Sequence, residues 1–370
     1  MKLRFKGAAD NILIIFLCVC LIFFSVGTVF LSSRERISQV ENRPLATFPS
    51  FSAESFFDGS FTADLSDACR DGIPFRPFFL KLRGLADLFL RGQVEAVIFG
   101  KDGYLIPRGE YASFTLLEKN IDFLVGISNY SGEKCVSAII PRSIDVCKEF
   151  LHISYCGDGY EAWDVLSDRL GGMGLCSYLS GLSAEGQIWY KTDHHWTALG
   201  AYHAYCYLGK SLGYSPYSLE EFERAVVCDD FLGSGHSLTG GLSFTRDKIE
   251  LFRYSGDGDY LVTVDGRVRS EGLYEFSKLN TKDKYGIFLG GNYGQVTITG
   301  EEERERLLII KDSYANSLVP LLARHFDIEM IDLRYFSGDR AELLRAIELV
   351  DRVLILQGLD TLATTSVTVN

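Results

Sequence analysis

Leu307-Leu308-Ile309-Ile310 is a run of four branched apolar residues without a polar member, and the chain around it repeats one theme. A helical stretch follows from Tyr314 to His325, then a strand from Ile328 to Leu333. An amphipathic stretch from Arg340 to Leu349 leads to a last apolar run from Val353 to Leu356. Short strands buried on both faces, alternating with helices at this spacing, predict an α/β domain: a parallel sheet with helices on both faces. The run Cys135 to Ile140, which ends at Pro141, fits the same sheet. Between about 228 and 287 the alternation fails. Gly-rich pieces such as Gly233-Ser234-Gly235-His236 and Thr239-Gly240-Gly241 give way there to hairpin-like segments, which predicts a β-rich insertion.

The N-terminus belongs to another regime. From Ile12 to Leu31 no residue is charged, and a bilayer needs about 20 apolar residues to be crossed. Lys2, Arg4 and Lys6 precede the run and predict a cytoplasmic N-terminus with the body outside, although Arg34 and Arg36 reduce the asymmetry. A cleaved signal peptide is disfavoured by the length of the run and by Val29-Phe30-Leu31 where small residues would be wanted. Asn42-Arg43-Pro44 to Pro49 reads as an extended linker. The expected order is an anchor and cytoplasmic stub over 1–36, a linker over 37–50, and one domain over 51–370 carrying the insertion. Within it, Val97 to Leu105 reads as two short strands around a Lys101-Asp102-Gly103 turn.

Charge limits the partners. The formal net charge is −12, and residues 1–36, with five basic and two acidic side chains, contribute +3, so the remainder carries −15. Such a surface is a poor match for nucleic acid, and for anionic lipid beyond the anchor. Seven of the nine cysteines lie outside the apolar run, an odd number with no zinc spacing; a Cys147–Cys156 disulfide competes with scattered buried thiols.

Reactive groups in an α/β sheet belong at the carboxyl ends of parallel strands. Ser313, in Lys311-Asp312-Ser313-Tyr314, stands between a strand and a helix, where its hydroxyl reaches the sheet edge and its N–H lies at the positive helix end. Position alone fits a helix N-cap as well. The second place is Thr192-Asp193-His194-His195-Trp196-Thr197, with Thr197 capping a helix from Ala198 to Leu208. If the backbone ahead of that cap is extended, Asp193 and His195 share a face and His194 points away. An aspartate beside a histidine is the orienting pair of a catalytic triad. A metal site built from Asp193, His194 or His195 with His203 or His236 is the competing reading.

These motifs, with Phe288-Leu289-Gly290-Gly291-Asn292, Ala315-Asn316-Ser317 and Ile331-Asp332-Leu333-Arg334-Tyr335, resemble the DHHW protein family. That family is similar to the SGNH-hydrolase-like domain of the alginate O-acetyltransferases. Glu41-Asn42-Arg43-Pro44-Leu45 and Phe99-Gly100-Lys101-Asp102-Gly103 also fit. The resemblance implies a flavodoxin-like, SGNH-type sheet with Ser313 as nucleophile, His195 as base and Asp193 as its partner. It implies Gly291 and Asn292 as oxyanion-hole candidates, with Tyr314 and Lys311 beside them; Lys311-Asp312-Ser313 stands where SGNH hydrolases have Gly-Asp-Ser. The implied activity is O-acyl transfer, or ester hydrolysis, on a cell-envelope or exported polysaccharide, without metal or cofactor. The acyl donor would come from a membrane-bound O-acyltransferase or elsewhere. A non-catalytic polysaccharide-binding module and a metal-dependent hydrolase remain the rivals.

Overall fold

A computed structural model of the protein describes residues 8–31, 37–94, 97–109, 114–152, 163, 166, 169–170, 173–182, 185–254, 260–269 and 272–369. Cys156, Lys2, Arg4, Lys6, Arg34 and Arg36 lie outside them. The chain divides into two compact units, 1–90 with 239–242, and 91–238 with 243–370.

The first unit begins with helix α1 (Ala8–Leu31), whose stretch Asp10–Phe30 is long and apolar enough to cross a membrane and is nowhere buried in the protein. A buried core helix is therefore set aside. A small antiparallel pair follows, β1 (Ile37–Ser38) with β2 (Arg43–Pro44), then helices α2 (Ala53–Phe57), α3 (Ser60–Asp71) and α4 (Arg76–Arg91). The buried Asp71 carboxylate holds the pair in place: it accepts from both Arg43 η nitrogens at 2.7 and 2.6 Å and from the Ala46 N–H at 2.9 Å.

The second unit opens with a three-stranded antiparallel sheet, β3 (Gln93–Val94), β4 (Val97–Phe99) and β5 (Leu105–Pro107). Its Lys101–Gly103 turn has positive φ at Asp102 and Gly103, as the sequence led one to expect. Helix α5 (Phe114–Ser131) leads into β6 (Cys135–Ile140). After it come the antiparallel pair β7 (Glu223–Phe231) and β8 (Asp247–Arg253), then β9 (Leu261–Val264), β10 (Arg267–Arg269) and β11 (Gln295–Thr299). The alternating C-terminal part supplies β12 (Glu305–Lys311), β13 (Phe326–Ile331) and β14 (Arg352–Gly358).

Seven strands form the main sheet in the order β10-β9-β11-β13-β12-β14-β6. β13, β12, β14 and β6 are mutually parallel, while β11, β9 and β10 add on antiparallel. The expected all-parallel sheet is thus a mixed one. Strands β9 and β10 are joined by only Asp265-Gly266, both at positive φ, and so short a connection permits only an antiparallel return.

Side chains of β12 and β14 alternate between two cores. Leu307, Ile309, Leu354 and Leu356 pack on one face with the helices 198–212 and 315–322. Leu308, Ile310, Val353 and Ile355 pack on the other with α5 and the helix 340–348. Burial on both faces explains why the middle of each strand, Leu307–Ile310 and Val353–Leu356, contains no polar residue. Cys147 is a buried free thiol, pushed up by burial to about 12.

Candidate active site

Ser313 lies just past the carboxyl end of β12, in the turn before the helix Ala315–Leu322. It is not the cap. The N-cap position is Tyr314, without a side-chain cap bond, and the Ser313 Oγ lies 2.8 Å from His195 Nε2. Asp312 fixes the turn: its carboxylate accepts from the Tyr314 N–H at 3.1 Å, and from the Gly358 N–H and Thr361 Oγ1 at 2.7 Å each. Among the described residues no acceptor meets the Ser313 N–H.

His195 comes from a tight turn. Tyr190 N–H donates to the His195 carbonyl and Thr197 N–H to that of Ile188, so residues 191–195 form the loop of a narrow hairpin rather than an extended strand. Thr197 caps the helix Ala198–Leu212 as expected, its hydroxyl accepting from the Gly200 N–H. Asp193 and His195 do meet, but through the bend: Asp193 Oδ1 accepts from the His195 N–H at 2.9 Å and lies 2.5 Å from Nδ1. For the same reason His194 does not point the opposite way. Its ring lies beside that of His195, with centroids 3.8 Å apart, and its Nδ1 is 2.6 Å from Ser234 Oγ.

Several residues escape sequence reasoning because they lie far away along the chain. The buried Asp247 accepts from the Lys191 N–H, the Thr192 N–H and hydroxyl, and Gln187 Nε2 at 2.7–2.9 Å, and so braces the 191–195 loop. Tyr285 stacks on His195 at 3.9 Å between centroids, its plane tilted by 9°. The Ser234 N–H donates to Asp193 Oδ2 at 2.7 Å. A glycine beside a serine in the Gly233-Ser234-Gly235 loop was the one available signal for this close approach. A Cβ on Gly233 would lie 2.2 Å from Asp193 Oδ2, so Gly233→Ala should displace that carboxylate. We expect it to lower stability by about 1–3 kcal/mol, readable as a fall in thermal midpoint, and to reduce turnover of an ester substrate.

Burial opposes charge on both members of the pair. It would push the Asp193 carboxyl up, but the His195 and His194 rings and the hydrogen bonds from His195 and Ser234 hold it well below the carboxylate range. Burial, aided by His194 and opposed by Asp193, lowers His195 from 6.5 to about 4. The imidazole is therefore neutral across the physiological range, the form that can accept a proton from Ser313. Protonation removes that capacity, and a lowered pKa moves the loss to lower pH. The acid limb of kcat/KM for a small ester is accordingly expected near pH 4, and a midpoint at 6 to 7 would contradict it. Because the unfolded chain binds this proton already near 6.5, stability also falls as pH drops from 6.5 toward 4. The fold must therefore be monitored alongside the rate.

The remaining candidates form a second group. Lys311 is buried, its ammonium 3.1 Å from Asn292 Oδ1, 3.0 Å from Asn316 Oδ1 and 3.4 Å from Asp332 Oδ2. Burial lowers its pKa, against the pull of Asp332. Asn316 Nδ2 donates to Asn292 Oδ1 at 3.1 Å and to the Gly291 carbonyl at 3.3 Å. Asn292 Oδ1 is thus held by two donors, Lys311 and Asn316. Tyr314 is buried, donates its hydroxyl to the His194 carbonyl at 2.7 Å and meets the His195 ring edge-on. It and Lys311 are engaged internally and do not face solvent.

Asp193, His194 and His195 also place a carboxylate oxygen and two ring nitrogens within 4.8 Å, a composition that suits a cation. The geometry suits a shared proton better. Nδ1 and Oδ1 at 2.5 Å are closer than two ligands of one tetrahedral zinc, roughly 3.3 Å apart at bond lengths near 2.0 Å. His203 faces Glu185 and His236 faces Ser243, so neither joins the cluster as the metal reading required.

The bend carrying Asp193-His194-His195-Trp196 and the turn carrying Ser313 both fall in one recognisable segment. Residues 171–331 match the model of the DHHW protein family. No curated protein sequence matches the chain. A DHHW family protein from Eubacterium siraeum superposes with a TM-score of 0.58 at 19% identity, over 73% of this chain and 92% of that one. Bacillus cereus PatB1, in a structure with a sulfonyl adduct, gives 0.61 at 16% identity, over 74% and 98%. The O-acetyltransferase domain of Pseudomonas putida AlgJ gives 0.45 at 16%, over 72% and 92%. At these identities the likeness of the chain to the first two is one of fold. It agrees with a mixed α/β sheet bearing helices on both faces.

Proposed function

We propose that this chain is an acyl-transfer enzyme that works through an acyl-Ser313 intermediate, passing an O-acetyl group to a polysaccharide hydroxyl or, as an esterase, to water. The observation that carries the reading is the unbroken series Asp193 Oδ1, His195 Nδ1, His195 Nε2 and Ser313 Oγ, with gaps of 2.5 and 2.8 Å. In it Ser313 Oγ attacks the acyl carbonyl carbon while its proton passes to His195 Nε2. The same proton leaves with the departing alcohol, and the acyl group stays on Oγ. The acceptor hydroxyl then gives its proton to Nε2 and attacks the acyl carbon, and Nε2 returns that proton to Oγ as the acyl–Oγ bond breaks and Ser313 is released. Asp193 holds Nδ1 protonated throughout. The Ser313 N–H and the Asn292 amide are the oxyanion donors in this reading.

Acetyl and polysaccharide come from the resemblance of the motifs to the alginate O-acetyltransferase domain. The acidic body suits a neutral or cationic acceptor. We further propose that α1 is an uncleaved anchor, with Lys2, Arg4 and Lys6 cytoplasmic and the DHHW segment outside. Incubation with phenylmethanesulfonyl fluoride followed by peptide mass spectrometry tests the nucleophile. Modification at Ser313, lost in His195→Ala, is expected. Modification elsewhere, or ester hydrolysis that survives the reagent and is abolished by a chelator, would favour the metal-dependent rival.

A further inference from the structure

Helix α4 presents an apolar face that is largely exposed among the described residues. Phe78, Phe79, Leu82, Leu85, Phe89 and Leu90 are between 41% and 90% exposed. Their spacing of three and four residues places them on one broad side of the helix. The opposite side is packed: a Cβ on Gly84 would meet the Thr239 carbonyl at 2.9 Å, and one on Gly240 would meet the Leu80 carbonyl at 3.0 Å. Lys81 and Arg83 flank the apolar face, Arg83 lying 3.6 Å from Asp87, and Arg91 ends the helix, while Arg76 at its start is paired with Glu41 and Asp71. A Phe- and Leu-rich face edged by Lys and Arg is the composition of helices that lie in a membrane interface.

The same unit holds the membrane-length helix α1, which meets the first turn of α4 and the residues just before it. Phe23 stacks on Phe75 at 6.3 Å, Phe24 meets Phe79 at 6.0 Å, and a Cβ on Gly27 would lie 2.5 Å from Pro74. At 1.5 Å of rise per residue, Phe23, Phe24 and Gly27 stand about 12, 10 and 6 Å short of the helix end at Leu31. That is the depth, about 5–10 Å, at which an interfacial helix buries its apolar side. The apolar surface of α4 thus continues that of α1 at the level of the headgroups.

We propose that α4 is an interfacial helix, its Phe78-Leu82-Leu85-Phe89 face seated in the headgroup and acyl boundary of the bilayer that α1 crosses. This rests on α1 spanning a membrane and is independent of the serine mechanism. A bilayer is preferred to a protein partner because the face is continuous with a lipid-facing helix and is bordered by cationic side chains.

The test uses the full chain in phosphatidylcholine and phosphatidylglycerol vesicles, with Phe89→Trp and separately Phe78→Trp as reporters. Emission is read against the unsubstituted chain, whose three tryptophans give the background. Phe16→Trp in α1 and Leu349→Trp, at a position 68% exposed, serve as bilayer and solvent references. Tryptophan at 89 and at 78 is expected to emit at shorter wavelength than at 349. Lipid brominated near the headgroup should quench it, leaving 349 unaffected. Solvent-like emission without quenching overturns the proposal. Blue-shifted emission that brominated lipid does not quench also overturns it and points to a covering protein, a second copy or another chain. If the reporter at 16 is itself unquenched, α1 is outside the bilayer and the proposal falls with the anchor.

Discussion

Ser313→Ala is expected to reduce hydrolysis of a small acetyl ester by about 10,000-fold or more, while the protein stays folded. The size follows from the role: without Oγ no acyl-enzyme forms, and only substrate binding and oxyanion donors remain to help water attack. The fold should tolerate the change because Ser313 does not cap its helix and its turn is held by Asp312 through three other hydrogen bonds. Loss of one hydroxyl hydrogen bond to His195 costs about 1 kcal/mol. Turnover and a thermal unfolding curve measured on one preparation separate the two quantities. Activity within tenfold of the unsubstituted chain would rule out Ser313 as nucleophile. Sensitivity of that residual activity to a chelator would move the chemistry to the Asp193, His194 and His195 donors.

How much of this was legible in the residues depends on how local the cause is. Strands β12 and β14 are buried on both faces, so continuous apolar runs announce them, and the helices between them follow from spacing. The antiparallel edge is less legible. Nothing within β9 or β11 states which neighbour it pairs with, and only the Asp265-Gly266 turn marks the reversal. Preference for His195 over His194 rests on an extended backbone; the loop is bent instead, and within it His195 is the histidine whose Nε2 lies 2.8 Å from Ser313 Oγ. The hairpin is set by Tyr190 bonding to His195 and by Asp247, some 55 residues downstream of Thr192. Tyr285, which stacks on His195, is farther still along the chain and looks in the sequence like one of 19 tyrosines. Lys311 reads as an intrusion where a glycine is usual; in the fold its charge is taken up by Asp332, Asn292 and Asn316.

Asp193→Asn should reduce kcat/KM by about 1,000- to 10,000-fold, and the reason lies in the number of donors that converge on the carboxylate. Oδ1 takes the His195 N–H and faces Nδ1, and Oδ2 takes the Ser234 N–H. An amide has one oxygen for these three positions. If that oxygen stays with Ser234, the NH2 group faces Nδ1 and favours the tautomer protonated on Nε2, which cannot accept the Ser313 proton. If it stays with His195, the NH2 group confronts the Ser234 N–H, leaving a buried donor unsatisfied at a cost of about 1–3 kcal/mol. The first arrangement predicts slow acylation and sets the NH2 group against the His195 N–H, so a lowered thermal midpoint accompanies both arrangements. Either way the rate of Ser313 sulfonylation should fall in step with ester turnover, because both require the same proton transfer. A metal site would behave otherwise: asparagine would remove a ligand charge and weaken cation retention, while the serine kept its reactivity toward the sulfonyl fluoride. Undiminished sulfonylation in Asp193→Asn would therefore detach Asp193 from the series that ends at Ser313.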